Sequence, residues 1–216
     1  MRLRLGRVRH AVIVAPHPDD EVIGAAGLIH ALRRRATRVS VVIVSDGAAS
    51  HPGSLRWPRS RLVAERRRES RRALLRLGVH AGAIRCLGLP DGSVAAHATR
   101  TRRSLRGIVS AYRADLIVGP AASDGHPDHR AVASALRDMP GRARRLTYQV
   151  WPARHRHDAR TRTMAVAGGG PMKRSLIRLH RTQSGAIVDD PAGFAIAPHE
   201  LRLFSHPIES FVAVRR

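Results

Sequence analysis

The chain has very little sulfur chemistry to offer: of its 216 residues one is cysteine, Cys86. A lone thiol excludes an intrachain disulfide and a thiolate-rich zinc cluster, so any metal must be held by histidine and carboxylate. No run approaches the roughly 18 apolar residues of a membrane span. The N-terminus "MRLRLGRVRHAVIVAPHPDD" has the basic start and apolar stretch of a leader. That stretch is short, however, and runs straight into charge without a small-residue cleavage site, which reads as a cytoplasmic protein. Aromatics make up 3% of the chain, leaving little to stack on bases as single-strand readers require. Lysine is almost missing too: Lys173 is the only one among 39 cationic side chains.

The formal charge of +23 invites a nucleic-acid reading. Its distribution argues otherwise. The arginines are spread along the chain (Arg33 to Arg35, Arg66 to Arg68, Arg142 to Arg145) instead of gathering in one tail, and GC-rich coding explains them as readily as anion binding. A solvated basic surface is the favoured reading, and no nucleic-acid partner is expected. With 43% apolar residues the chain can bury a substantial core, and it reads as one domain over 1–216.

Apolar runs of strand length alternate with amphipathic stretches of helix length. "HAVIVA" is a buried strand, and "EVIGAAGLIHALRRR" a helix with its basic residues at the end, where the macrodipole favours them. The strands "RVSVVIVS", "AIRCLGL" and "ADLIVGP" follow, separated by the helices "RLVAERRRESRRALLRLG" and "TRRSLRGIVSAYR"; "DHRAVASALRDM" is a further helix. This order predicts a Rossmann-like α/β fold: a mainly parallel β-sheet with helices on both faces, in three layers. "RRLTYQVW" and "RTMAVA" predict later strands and "PMKRSLIRLHRTQ" a late helix, with the segment 170–216 packing over the core. "SDGAASHPGSLRWPRS" predicts a long loop of the kind that often borders a ligand.

The apolar strand at 10–15 ends in "PHPDDE", a histidine and three adjacent acids. Such acids repel unless a cation or hydrogen-bond donors offset them. "ASDGHPDHRAV" stands in the equivalent place after "DLIVGP". In open α/β sheets ligands bind beyond the carboxyl ends of the strands, so two strand ends deliver His17, Asp19, Asp20, His126, Asp128 and His129 to one rim. Two histidines and a carboxylate satisfy a catalytic zinc with a position left for water. A second carboxylate could take the water's proton, and a neighbouring histidine could stabilise an oxyanion. The inventory suffices to hydrolyse an amide.

The pairing of "PHPDDE" with "HPDH", together with "SDG", "RRRE" and "LGLPDG" between them, resembles the PIG-L/LmbE family of zinc-dependent N-acetyl-sugar deacetylases. The resemblance implies one zinc per chain held by His17, Asp20 and His129, and Asp19 as general base. It implies His126 as the group that stabilises the oxyanion, with Asp128 orienting that histidine. Arg66 and Asp91 match positions that contact sugar hydroxyls, and the implied substrate is a small N-acetyl amino-sugar conjugate. Some members carry an aromatic residue where this chain has Asp124, which points to a different substrate subgroup. A metal hydrolase of another amide or ester would use the same parts.

Other residues read more plainly. Glu21 is expected at the helix start facing the dipole, and Asp46 and Gly47 in a turn. His51, His97, His155 and His157 are expected at the surface and Trp151 in packing. Gln183 either caps the late helix or lines a pocket. "GAAG" in the first helix is expected to allow close helix–sheet packing, because the full dinucleotide fingerprint is absent.

Overall fold

The computed structural model describes residues 1–137, 139, 141–152 and 160–214. Strand β1 (His10–Ala15) is buried throughout and lies between β2 (Arg38–Ser45) and β4 (Leu116–Pro120), both parallel to it. Ala11, Ile13 and Ala15 face one core while Val12 and Val14 face the other, the period of a strand covered on both sides. β3 (Ile84–Leu89) continues the parallel sheet beyond β2, and β5 (Arg144–Tyr148) continues it beyond β4. β7 (Ile208–Val214) then runs antiparallel between β5 and β6 (Thr161–Ala165), giving the order β3-β2-β1-β4-β5-β7-β6.

Helices cover both faces, as the alternation predicts. The first core receives α1 (Asp20–Arg34), α2 (Arg59–Arg76), α5 (Gly169–Ile177) and α6 (Pro198–Phe204) through residues such as Leu28, Leu74, Ile177 and Phe204. The second receives α3 (Ala98–Ala111) and α4 (Pro127–Arg137) through Leu105, Val109, Val132 and Leu136. No described helix is long and apolar enough to cross a membrane.

Three elements differ from the sequence reading. The strand expected to reach Trp151 ends at Tyr148, because the N–H groups of Val150 and Trp151 turn to the Asp124 carboxylate at 2.8 and 3.2 Å. The late helix stops at Ile177 and resumes only as a 3-10 turn, Arg181–Gln183. Thr182 gives its N–H and hydroxyl to Glu69 of α2 at 2.9 and 2.6 Å, where a continued helix would spend that N–H on Arg178. The tail does more than lie over the core: its last strand enters the sheet.

That last strand also secures α1. The helix is broken at Ala25, whose φ of −148° is not helical, and the break frees backbone donors that burial makes costly to leave unpaired. Glu209 of β7 accepts them, from Gly27 at 2.9 Å and Leu28 at 3.0 Å. Lys173 of α5 lies 2.9 Å from the same carboxylate. Both glycines of "GAAG" are there for close packing: a Cβ on Gly24 would sit 2.3 Å from the Tyr148 ring, and one on Gly27 2.9 Å from Val166. The single lysine therefore neutralises a buried carboxylate that caps half a helix. Removing one partner of a buried pair leaves the other charge stranded, at about 3–5 kcal/mol. Lys173→Met should lower the unfolding free energy in urea by about that amount; an unchanged midpoint would show that Gly27 and Leu28 alone suffice for Glu209.

Candidate metal centre and active site

The strand order reverses at β1, with β2 on one side and β4 on the other. A crevice opens at such a point beyond the carboxyl ends of the strands. "PHPDD" leaves β1 into α1 and "ASDGHPDH" leaves β4 into α4, so adjacency in the sheet brings together side chains about a hundred residues apart. His17 Nδ1, His129 Nε2 and Asp20 Oδ2 converge: His17 lies 3.2 Å from His129 and 3.2 Å from Asp20, and His129 lies 3.1 Å from Asp20. Ligand atoms around one tetrahedral ion lie roughly 3.3 Å apart when each is about 2.0–2.1 Å from it. Two ring nitrogens and a carboxylate oxygen at the corners of so small a triangle suit a shared cation better than any set of protons. The residues fit a metal ion of the kind that takes nitrogen and oxygen donors.

Carboxylates stand behind both imidazoles. His17 Nε2 lies 3.0 Å from Asp91 Oδ1 and 3.3 Å from Asp128 Oδ2, and His129 Nδ1 lies 3.2 Å from Asp124 Oδ2. Such partners fix ring orientation and raise basicity toward a metal. Burial alone would lower His17, but Asp128, Asp20 and Asp91 raise it well above the ordinary value. His129 rises to about 9 for the like reason, burial being overcome by Asp20 and Asp124. Burial opposes ionisation of Asp20, yet His129 and His17 hold it far below the carboxylate range. Asp91, against its burial, is drawn down to about 2 by His17.

Asp19 is different. Its φ of 129° lies where a residue other than glycine is strained by about 1–3 kcal/mol. Neighbours on both sides enforce it. Its N–H donates to Glu21 Oε2 at 3.0 Å, and its carbonyl accepts from Val22 and Ile23 at 2.9 Å each. Burial, despite the Arg66 cation, pushes its carboxyl up to about 8, with Asp20 and Glu21 adding to the rise. Arg66 gives Nη1 to Gly47 O at 2.7 Å and Nη2 to Pro18 O at 2.8 Å and Asp19 Oδ2 at 3.3 Å. Gly47 is needed there: its φ is +71°, and a Cβ would sit 2.7 Å from that guanidinium.

His126 faces the centre at ring-centroid distances of 4.6 Å from His17 and 5.0 Å from His129. Its Nδ1 accepts the backbone N–H of Asp128 at 3.2 Å, which places the proton of the neutral ring on Nε2. The Asp128 carboxylate does not orient His126 as expected. Its hydrogen bonds go to His17 and to the N–H groups of Gly92 at 2.8 Å and Val94 at 3.0 Å. Its own backbone N–H sets the tautomer instead. Asp91 likewise spends both oxygens within the protein, on His17 and on Ala49 N–H at 3.0 Å.

These residues floor a cavity of about 580 Å³ lined by His17, Asp19, Asp20, Arg66, Asp91 and His126, with Gln183, Trp151, Phe194 and Phe204 above. Gln183 is thus a lining residue, its Nε2 3.3 Å from Ser50 Oγ. Trp151 both packs and lines. Asp46 keeps its turn role, accepting from Ala48 N–H at 3.0 Å, and pairs with Arg59. His51 was expected at the surface and is buried beneath the 184–197 loop, where a Cβ on Gly193 would strike its ring. His97 is half-buried; His155 and His157 lie outside the described residues. Two contributors escaped the sequence reading. In the sequence Asp124 stands only as a departure from the family pattern and Glu21 only as a helix-start charge, although Glu21 holds the strained Asp19.

Residues 12–139 match the family model described as PIG-L, GlcNAc-PI de-N-acetylase. The chain belongs to the PIG-L family. It is 34% identical over 175 residues to a 2'-N-acetylparomamine deacetylase of Streptomyces fradiae, covering 73% of this chain and 61% of that one. It is 32% identical over 153 residues to a probable N-acetyl-alpha-D-glucosaminyl L-malate deacetylase 2 of Bacillus anthracis, covering 66% of each. The PIG-L chain thus spans somewhat under two thirds of the length of these relatives. In three dimensions it resembles an N,N'-diacetylchitobiose deacetylase from Pyrococcus horikoshii, with TM-score 0.69 and 22% identity over 82% of this chain and 71% of that one. It also resembles the 4-carboxy-2-hydroxymuconate hydratase of Pseudomonas putida KT2440, with TM-score 0.72 and 14% identity over 96% and 97%. Both likenesses speak to the fold alone, and function has to be argued from the site.

Partners behind a ligating histidine are worth about 10–100-fold in metal affinity. Asp124→Asn should weaken zinc binding, measured by competition with a chromophoric chelator, by that factor; equal affinity would remove Asp124 from the centre. A second outcome concerns His180, buried with its Nε2 4.0 Å from Glu21 Oε1. Burial and the Arg66 charge depress it from 6.5 to about 3, with Asp20 opposing. As pH falls the unfolded chain takes up this proton first, so the stability it contributes is full above about 6.5 and is lost toward 3. His180→Leu should flatten the fall of unfolding free energy between pH 6.5 and 4 by up to about 1.4 kcal/mol per unit. Parallel curves for the two proteins would show that His180 is not held neutral.

Proposed function

We propose that this PIG-L chain is a metal-dependent hydrolase that removes the acetyl group from a small N-acetylated amino-sugar conjugate. One observation carries the reading. Three donors, His17 Nδ1, Asp20 Oδ2 and His129 Nε2, converge within 3.2 Å of one another, while Asp19 and His126 border the same cavity outside that set.

One zinc ion per chain, held by those three residues, would supply Lewis acidity and a water of pKa about 7. The rest is work for the chain. Asp19, fixed by Glu21 and Arg66 and ionised once a bound cation beside it offsets the rise that burial causes, accepts the proton of the attacking water. His126 donates from Nε2 to the carbonyl oxygen as it gains charge. When the C–N bond breaks, the proton held at Asp19 passes to the leaving nitrogen, so one water is consumed and acetate and a free amine are formed. Asp91, Asp124 and Asp128 keep the two ligating rings in register. Arg66 and Asp91 form the wall against which the sugar hydroxyls would lie, although most of their hydrogen-bonding capacity is already used within the protein.

The relatives' names support this substrate class, and the order of motifs from "PHPDDE" to "HPDH" supports the roles. Acetate release from N-acetylglucosamine conjugates, compared with hydrolysis of simple acetate esters, tests it; faster ester cleavage would favour the esterase reading. Asp19→Asn should retain the metal and lose about 10²–10⁴-fold in kcat. His126→Ala should lose about 10²–10³-fold. Near-normal turnover in either variant would remove that residue from the mechanism.

A further inference from the structure

We infer that the cavity selects N-acetylated amino sugars whose aglycone is an uncharged ring system, seated on a wall formed by Trp151, Phe194 and Phe204; this rests on the deacetylation reading above. The chain has seven aromatic side chains, two Trp, two Tyr and three Phe. Three of them line this cavity. Trp151 stands edge-on to Phe204 at 5.2 Å and to Phe194 at 6.1 Å, with interplanar angles of 84° and 85°. Trp151 and Phe204 also pack into the first core, and with Phe194 they give the cavity one aromatic side.

The wall runs from inside to outside. Phe204 is 3% exposed and Phe194 37%, so the wall leads from the buried side of the cavity to its exposed edge. It is also preformed. Phe194 N–H donates to Ser50 O at 2.7 Å. Asp190 accepts from Gly53 N–H at 2.9 Å, and Asp189 from Ser54 Oγ at 2.8 Å and Arg56 N–H at 2.9 Å. These bonds tie the 45–58 and 184–197 loops together, so a ring meets an ordered surface and little entropy is lost in arranging it.

Charge points the same way. Among the described residues Arg66 is the one cationic arginine or lysine lining the cavity. Its Nη1 and Nη2 are given to Gly47, Pro18 and Asp19, and its Nε is fully buried. Among the described residues, a carboxylate or phosphate on the aglycone would meet no arginine or lysine in the cavity other than this committed one. A neutral ring would meet offset aromatic faces.

The test uses the zinc-loaded protein and three β-glycosides of N-acetylglucosamine, with methyl, phenyl and 4-carboxyphenyl aglycones. Both kcat/KM for acetate release and Kd by calorimetry are measured. The phenyl glycoside should exceed the methyl by about tenfold, and the carboxyphenyl should fall about tenfold below the phenyl. Phe194 is partly exposed, so its truncation does not open the core. Phe194→Ala should bring the phenyl-to-methyl ratio near one, and Phe194→Arg should invert the preference toward the carboxyphenyl glycoside. Acetate release at equal efficiency from all three would overturn the inference while keeping deacetylation. Selective binding of the phenyl glycoside, lost in Phe194→Ala but without acetate release, would keep the selectivity and overturn deacetylation. A preference of the unaltered protein for the carboxyphenyl glycoside would overturn the inference outright.

Discussion

His17 Nδ1, His129 Nε2 and Asp20 Oδ2 meet at 3.1–3.2 Å, and much of the surrounding structure answers the problem that this creates. Polar atoms so close, and so buried, need a positive charge among them. Protons on the imidazoles meet that need only in part, because two protonated rings repel each other. A metal ion meets it once and leaves each ring its outer nitrogen for a carboxylate. This is why three further aspartates, Asp91, Asp124 and Asp128, are brought to the back of the two rings. They are costly to bury, and positive charge on the two rings offsets that cost.

Keeping those donors in place is a matter of fold as much as of local bonds. The two motifs leave neighbouring strands, so their separation is set by the sheet spacing of about 4.8 Å. The first turn of α1 is then aimed independently of the rest of that helix by the break at Ala25. Glu209 and Lys173, both at most 3% exposed, satisfy the backbone that the break exposes. Tyr148 fills the niche left by Gly24 and donates its hydroxyl to Val14 O at 2.8 Å, so β5 presses that turn against β1. The strain at Asp19 is held by the same region, through Glu21 and Arg66.

What was legible in the sequence follows from the range of the forces involved. Unbroken apolar runs such as "HAVIVA" and the carboxyl-end rule place His17, Asp20 and His129 on one rim, because both are local patterns with one spatial outcome. "GAAG" was legible for the same reason. Pairings that depend on side-chain direction were not. Whether Asp128 supports His126 or His17 turns on one rotamer at the start of α4, and the N–H groups of Gly92 and Val94 decide it. Asp124 is not legible as a partner of His129, since two of its other contacts, Val150 and Trp151, come from a strand end about 26 residues later in the chain. His51 was misplaced because only the 184–197 loop, remote in sequence, covers it. The tail's entry into the sheet is a non-local pairing that no window around β7 displays.

The chain's charge resolves into two populations. Six of its 16 acidic residues, Asp19, Asp20, Glu21, Asp91, Asp124 and Asp128, belong to the centre and its immediate supports, while the arginines are dispersed over the surface. A nucleic-acid module would show the reverse economy, with cations collected on one face and acids kept clear of the ligand. Concentrating acids in a buried site is tolerable only if the site supplies its own cations, and here those are two imidazoles, Arg66 and the metal that the donors fit. One more free guanidinium inside would compete with the metal for the same carboxylates. The same balance accounts for Arg66 being the one arginine or lysine that lines the cavity among the described residues. Beyond the polar centre the cavity is lined by the aromatic side chains Trp151, Phe194 and Phe204.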